Sequence, residues 1–176
     1  MKKLIFIAII TVMLFATIIN AASQEKKYGF RAGYQRSVMM MNSEQQGESN
    51  GSYYLGAFRD AKMFPFMYFQ SGLEFIQMGA KIDNSKYTLS YIGVPLGLKC
   101  KVGPIYGFGG AMVNFKVSEK ASPYDQKAKW YDTNAYLGAG INVIMFSLEA
   151  KYMWGLTEVS NGLHNNGFQL GCGIRF

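Results

Sequence analysis

The last eleven residues of the chain constrain its fold more than any other segment. Residues 166–176 alternate between apolar side chains and small or polar ones without interruption. One face carries Phe168, Leu170, Cys172, Ile174 and Phe176, and the other carries Gly167, Gln169, Gly171, Gly173 and Arg175. A period of two predicts a β-strand, and a tilted strand of about 9–11 residues crosses a bilayer. Because a terminal strand with an apolar outer face needs cover, we expect lipid to cover it.

The N-terminal segment predicts export. A basic Met1-Lys2-Lys3 start precedes an uncharged apolar run at residues 4–19, and small residues follow at Ala21-Ala22-Ser23. This order is typical of a signal peptide, here residues 1–23, followed by a mature domain at residues 24–176. The alternative is a membrane anchor, but the apolar run is shorter than the ~20 residues that a helical span needs.

Seven earlier segments show a strand-like pattern as well. They cover residues of about 28–38, 52–59, 66–81, 88–102, 105–117, 131–143 and 146–156. Longer polar connections at 39–51, 82–87, 118–130 and 157–165 alternate with shorter ones at 60–65, 103–104 and 144–145. Short turns at one end and long loops at the other indicate an all-β, eight-stranded antiparallel transmembrane barrel, with both termini on the periplasmic side.

Charged residues fall on the inward face of the predicted strands. They are Arg31, Glu74, Lys99, Lys101, Lys116, Glu149, Lys151 and Arg175. A soluble barrel has the opposite polarity, which argues against a lipocalin-like carrier. Unpaired buried charges cost several kcal/mol each, so we expect an ion-pair network with Glu74 and Glu149 as acidic hubs. The inward glycines should make room for these long side chains, and we expect no open pore.

Charge and cysteine content narrow the possible partners. The formal net charge of +7 falls to +5 without residues 1–23, since Lys2 and Lys3 are lost. The basic residues are scattered in an exported chain, so nucleic acid is not an expected partner. Cys100 and Cys172 fall on apolar faces of strands that are not neighbours. We therefore interpret both cysteines as small lipid-facing residues and not as a disulfide.

Aromatic side chains cluster near the predicted strand ends. They are Tyr28, Trp130, Tyr131, Tyr152, Trp154 and Phe176. This placement predicts the aromatic girdles of a membrane barrel, although aromatic residues are also common in strands generally.

Two stretches resemble a known family. The sequence Gln70-Ser71-Gly72-Leu73-Glu74-Phe75-Ile76-Gln77-Met78-Gly79-Ala80-Lys81 resembles the third-strand pattern of the PorT-like outer-membrane β-barrel family, and Tyr91-Ile92-Gly93-Val94-Pro95-Leu96-Gly97-Leu98-Lys99 resembles its fourth. Two positions depart from the family pattern: Gly93 stands where an acidic residue is typical, and Met78 where a Lys is usual. The resemblance implies an eight-stranded outer-membrane barrel. The family has no agreed activity, although its namesake takes part in protein secretion and gliding.

Few residues point to catalysis. His164 is the single histidine, and with Ser160 it is similar to the His–Ser pair of lipid A-modifying hydrolases. A histidine among Asn and Gly is more typical of a solvated loop, and Glu74 with Glu149 fit the network better than an acid–base pair. One histidine and two separated cysteines do not make a metal site. We therefore expect no enzyme, no metal and no cofactor.

The predicted role is structural or interactive. We expect contacts with outer-membrane lipid, with barrel-assembly machinery that reads Phe176, and with an envelope or extracellular partner through loops 39–51 and 118–130. Adhesion, an envelope scaffold and secretion all fit this description. An outer-leaflet lipid-modifying enzyme and a narrow channel are the alternatives.

Overall fold

The chain folds into one closed barrel of eight antiparallel strands. The computed structural model describes residues 26–41, 44–82, 85–120, 130–157 and 163–176. The strands are β1 Lys26–Met41, β2 Glu44–Phe64, β3 Met67–Ile82, β4 Ser85–Val102, β5 Ile105–Lys120, β6 Tyr131–Val143, β7 Phe146–Gly155 and β8 Leu163–Arg175. Each strand pairs with the next in sequence, and β8 closes the barrel against β1. The predicted fold class is confirmed. No helix of the described residues is long and apolar enough to cross a membrane.

The largest error in the predicted strands concerns β2. The stretch 39–51 was predicted to be a loop, but most of it is a paired β-hairpin in which Met41 lies opposite Glu44 and Met39 opposite Gln46. The predicted connection 60–65 is wrong as well, because Asp60 lies inside β2 opposite Gln70. Polar residues beyond a membrane can pair as strands without the apolar alternation that marks a lipid-facing face, so composition alone suggested a loop.

Other connections are shorter than predicted for the same reason. Only residues 83–84 separate β3 from β4, where a connection at 82–87 was expected. Strand β5 continues to Lys120 and β8 begins at Leu163, so the predicted loops 118–130 and 157–165 both lose residues to strands. Their central residues, 121–129 and 158–162, lie outside the described residues, as do residues 1–23 of the predicted signal peptide. Strand β6 has the predicted bounds.

The two ends of the barrel differ in their connections. One end, here called the terminal rim, carries Lys26, the first described residue, with Phe176 and the two-residue turns at 65–66, 103–104 and 144–145. Two of these turns use a left-handed backbone, with φ of 61° at Gly103 and 57° at Ile144. The other end, the loop rim, carries the remaining connections. Two of these, at 42–43 and 83–84, are also two residues long, whereas those at 121–130 and 156–162 are longer. Short turns at one end, with extended strands and longer connections at the other, are typical of outer-membrane barrels.

The outward face carries an apolar band of limited height. On β8 it runs from Phe168 to Phe176, and the half-buried Asn166 follows on the side of the loop rim. Positions towards the loop rim are called above the band. On β1 the band ends at Tyr34 and the next outward residue is Arg36. This height matches the roughly 9–11 residues of a membrane-crossing strand. Strands β1 to β5 continue past it.

Lipid-facing residues predicted from the alternation lie on this face. The predicted girdle residues Tyr28, Trp130, Tyr131, Tyr152, Trp154 and Phe176 are all exposed. The Trp130 and Tyr131 rings pack at 5.1 Å between centroids, and those of Tyr152 and Trp154 at 4.8 Å. Cys100 and Cys172 are exposed free thiols, which confirms the prediction for them.

The polarity of β3 and β4 reverses at the upper edge of the band. Below the edge the inward face is largely polar, as predicted. At and above it, the inward residues Ile76, Met78, Leu89 and Tyr91 are fully buried and belong to one apolar cluster. The outward face there is polar and half-buried on β3 and β4, at Gln77, Thr88 and Ser90. On β3 and β4 the loop rim therefore has an apolar inward face and a polar outward face, which the alternation pattern did not predict. Its apolar side chains continue the cluster that extends through the bore to Tyr106 and Phe108.

Candidate functional site

A layer of paired charges lies across the middle of the bore. The Nζ atom of Lys151 on β7 donates to both carboxylate oxygens of Glu74 on β3, at 3.0 and 2.9 Å. Arg31 on β1 links the two carboxylates, with its Nε 3.4 Å from Glu74 Oε1 and its Nη1 3.0 Å from Glu149 Oε1. All four side chains are buried. The structure thus brings Arg31, Glu74, Glu149 and Lys151 together in one network.

Aromatic rings surround this charged layer. The Arg31 guanidinium lies 4.9 Å from the centroid of Phe58, and Lys151 Nζ lies 5.4 Å from that of Tyr136. The Tyr106 hydroxyl donates to Glu149 Oε2 at 3.2 Å. Contacts of cations with ring faces are worth about 0.5–2 kcal/mol each, and most where water is excluded. The rings therefore stabilise the buried cations in place of water.

The inward glycines make room for these rings more than for charged chains. A Cβ atom at Gly171 would overlap the Tyr54 hydroxyl, and one at Gly140 would overlap the Tyr106 ring. At Gly56, an inward glycine for which no such role was predicted, the Cβ would meet the Glu74 side chain. Most of the glycines predicted to accommodate long charged side chains lie instead against aromatic side chains or the backbone of a neighbouring strand, so the expectation is wrong for them.

A second ion pair lies nearer the terminal rim. Lys99 Nζ is 2.8 Å from Asp60 Oδ2, and Gln70 Nε2 donates to Asp60 Oδ1 at 2.8 Å. The sequence analysis missed Asp60 because it assigned that residue to a turn, although its parity with Phe58 would have placed it inside. Of the other predicted members, Lys101 and Arg175 lie half-buried at the terminal rim, where Arg175 Nη2 donates to the Ile144 carbonyl at 3.3 Å.

A polar cluster ties strand ends together at the loop rim. The Asp132 carboxylate accepts hydrogen bonds from Thr157 Oγ1 at 2.7 Å and from Asn165 Nδ2 at 3.3 Å. Asn134 Nδ2 donates to the Asn165 carbonyl at 3.1 Å, and Asn114 Nδ2 donates to Asn134 Oδ1. Sequence reasoning did not single out Asp132, although it alternates in register with the inward Tyr136.

The structure describes only one of the two candidate catalytic residues. His164 is a half-buried residue of β8 opposite Met40 on β1, and it lies in a strand and not in the predicted loop. Ser160 lies outside the described residues. Within the part of the chain that the structure describes, no group of three His, Cys, Asp or Glu side chains is placed to hold a metal ion.

The terminal Phe176 takes part in the seam that closes the barrel. Its backbone N–H donates to the Tyr28 carbonyl at 3.0 Å, and its carbonyl accepts from the Tyr28 N–H at 3.1 Å. Its ring lies 5.9 Å from that of Phe30 between centroids. The last residue is therefore part of the closing strand pair as well as a candidate assembly signal.

Solved structures with the same fold are outer-membrane proteins. Ail, the attachment invasion locus protein of Yersinia pestis, in complex with the heparin analogue sucrose octasulfate, is 17% identical, with a TM-score of 0.57 over 87% of this chain and 100% of Ail. Neisserial surface protein A is 12% identical, with a TM-score of 0.61 over 85% of this chain and 97% of that protein. At these identities the likeness extends to the fold alone.

The sequence itself also matches a family. No curated protein matches the chain. Residues 20–161 match the family described as the outer membrane protein beta-barrel domain. That match covers most of the chain and agrees with the closed eight-stranded barrel. The chain therefore belongs to the outer membrane protein beta-barrel domain family, and its place is the outer membrane.

Proposed function

We propose that this protein is an integral outer-membrane barrel with a closed bore, whose extracellular end contacts a partner outside the cell. The observation that carries the proposal is the reversal of polarity at the upper edge of the apolar band. Side chains such as Met78 and Leu89, fully buried above that edge, extend the apolar cluster of the bore into the β3–β4 part of the loop rim. A purely membrane-embedded anchor needs no such extension. A folded platform that presents a surface does.

The charged layer supports the closed bore. Glu74 and Lys151 lie on strands that are four apart in an eight-stranded barrel, so their ion pair crosses the interior. An ion that passed through would have to separate buried partners, and breaking such a pair costs about 3–5 kcal/mol. An eight-stranded barrel is also of the size whose interior side chains fill. The narrow-channel alternative is therefore disfavoured.

One structural neighbour, Ail, supports attachment as the class of role. Ail is an attachment protein, and it shares the barrel of this chain. The sequence from which the loop rim is built has no excess of basic residues that would favour the sulfated ligand of Ail. Its seven basic residues (Arg36, Lys81, Lys86, Lys116, Lys120, Lys127, Lys129) are equal in number to its seven acidic ones (Glu44, Glu48, Asp83, Glu119, Asp125, Asp132, Glu158). We therefore propose a partner that is not a polyanion. A secretion-associated role, which the PorT-like resemblance suggests, is the alternative.

The proposal is tested by shortening the β1–β2 hairpin. Residues 38–49 would be replaced by an Asn-Gly turn, which keeps the pairing of Ser37 with Asn50 and suits a two-residue hairpin. We expect the shortened barrel to fold still, as shown by heat-dependent migration on a gel. The cells that carry it should lose the attachment that the full-length protein mediates. If shortened and full-length proteins support equal attachment, the hairpin is not the contact surface.

Photo-cross-linking in intact cells distinguishes molecules that contact the loop rim from molecules that contact the lipid-facing wall. Photoreactive residues would replace Thr88 and Ser90, above the apolar band, and Val94 and Leu96 on the same strand inside it as matched controls. We expect adducts with a macromolecule from the first two positions and with lipid from the controls. Identical adducts from both pairs would contradict the proposal.

A further inference from the structure

The outer wall of the barrel has an apolar hollow across β6, β7, β8 and β1. Its volume is about 730 Å³. Small side chains form its floor, at Ala32, Ala139, Ala150 and Cys172, and larger ones such as Leu148 border it. Because these residues face outward within the apolar band, the hollow opens to the hydrocarbon region of the bilayer.

A second, smaller hollow lies directly above the first. It has a volume of about 340 Å³ and is lined by Arg36, Ser49, Tyr152 and Phe168, among others. Arg36 pairs with Phe168 across the β1–β8 seam, and the next outward pair below is Tyr34 with Leu170, both of which line the apolar hollow. Two residues along a strand span about 7 Å. The two hollows therefore lie next to each other along one face of the barrel.

Arg36 is an unusual residue for this face. It is exposed, it points away from the bore, and it stands at the upper edge of the apolar band. Ser49 orients it, since Arg36 Nε donates to Ser49 Oγ at 3.2 Å. At this height an outward guanidinium meets lipid headgroups. The fork of N–H donors on Arg suits the oxygens of a phosphate group.

We propose that this face binds one phosphate-bearing glycolipid of the outer leaflet. Its phosphate contacts Arg36, and one of its acyl chains occupies the hollow lined by Ala32, Ala139, Ala150 and Cys172. Charge complementarity at the upper hollow and apolar lining at the lower one select an amphipathic anion. A soluble phosphate compound would not use the lower hollow. This inference does not depend on the proposed attachment role.

Native mass spectrometry of the detergent-purified protein tests the site. The probes are bisphosphorylated lipid A and the same lipid after removal of its phosphates. For Arg36→Gln we expect about tenfold weaker binding of the phosphorylated probe, since a hydrogen bond to a charged group is lost, and unchanged binding of the dephosphorylated one. For Ala150→Phe, which fills the apolar hollow, we expect weaker binding of both probes.

Matched controls distinguish a site from general lipid contact. Arg59→Gln removes an outward-facing Arg at the terminal rim, and Ala111→Phe enlarges an outward residue of β5 beyond the hollow. Both should bind like the unmodified protein. Equal losses in the controls, or unchanged binding in both site variants, would overturn the inference. Heat-dependent gel migration establishes folding, and Arg36→Lys and Ala150→Leu serve as milder replacements should either variant fail to fold.

Discussion

The Lys151 ammonium contacts both carboxylate oxygens of Glu74, at 3.0 and 2.9 Å, and so joins two strands on opposite sides of the barrel. Arg31 adds a second cation beside Glu74, with 3.4 Å between its Nε and Glu74 Oε1. Glu74 is therefore the acidic group on which two buried cations depend. Its removal should affect both the stability of the barrel and the closure of its bore.

Replacing Glu74 by Gln should destabilise the folded barrel by about 3 kcal/mol or more, because Lys151 and Arg31 then keep buried charges with one carboxylate fewer. Urea unfolding in detergent micelles measures this free energy. The neighbouring outward Leu73→Val removes one methylene group from the lipid-facing wall and should change it by less than about 1 kcal/mol. Comparable losses in the two variants would argue against the ion-pair network.

Replacing Leu89 by Ser should loosen the loop rim without unfolding the membrane barrel. Leu89 is fully buried above the apolar band, and shrinking a buried Leu costs about 2–5 kcal/mol. A protease added to intact cells should cut the β3–β4 hairpin of this variant faster, while its heat-dependent gel migration stays normal. Thr88→Ser, one residue away on the outward face, is the control. Equal cleavage of Leu89→Ser and the unmodified protein would contradict an extension of the apolar cluster into the extracellular end.

Deleting Phe176 should impair insertion into the outer membrane. The deletion removes the hydrogen bonds of Phe176 with the Tyr28 backbone and the ring that packs near Phe30. The measured quantity is the folded fraction in outer-membrane preparations. Phe176→Tyr keeps an aromatic ring and the backbone and should insert normally. Efficient insertion of a chain that ends at Arg175 would refute a role for Phe176 in assembly.

Replacing His164 and Ser160 by Ala, singly or together, should leave the lipid A profile of the cells unchanged. His164 is half-buried on β8 and lies opposite Met40. Mass spectrometry of extracted lipid A measures the profile in cells with the unmodified protein, with the variants and without the protein. A modified species that needs the protein and disappears with His164→Ala would instead establish the enzyme alternative.

The alternation of apolar residues predicted the membrane-crossing part of the fold well. In β8 and β6 every second residue faces lipid, so the pattern specifies both the strand and its faces. The parity of Glu74 and Lys151 also placed both inside the barrel. The alternation could not predict which charged residues form ion pairs, because contacts across the bore depend on the tilt and stagger of the strands in the closed barrel.

The extracellular part was harder to predict, for a physical reason. Residues 44–50 have no apolar alternation, since water covers the polar face of a strand outside the bilayer, and their pairing could not be inferred from composition. Asp60 was missed because its neighbours suggested a turn. Arg36 was not singled out, because its role depends on the position of the band edge and on its contact with Ser49.

The closed bore is tested most directly by conductance measurements in planar lipid bilayers. The unmodified protein should give only background current if, as we propose, the Glu74–Lys151 pair and the aromatic rings beside it close the middle of the barrel. Glu74→Ala combined with Lys151→Ala, which removes the crossing pair, should show occasional openings. Regular, stable conductance steps from the unmodified protein would contradict a closed bore and would support the narrow channel instead.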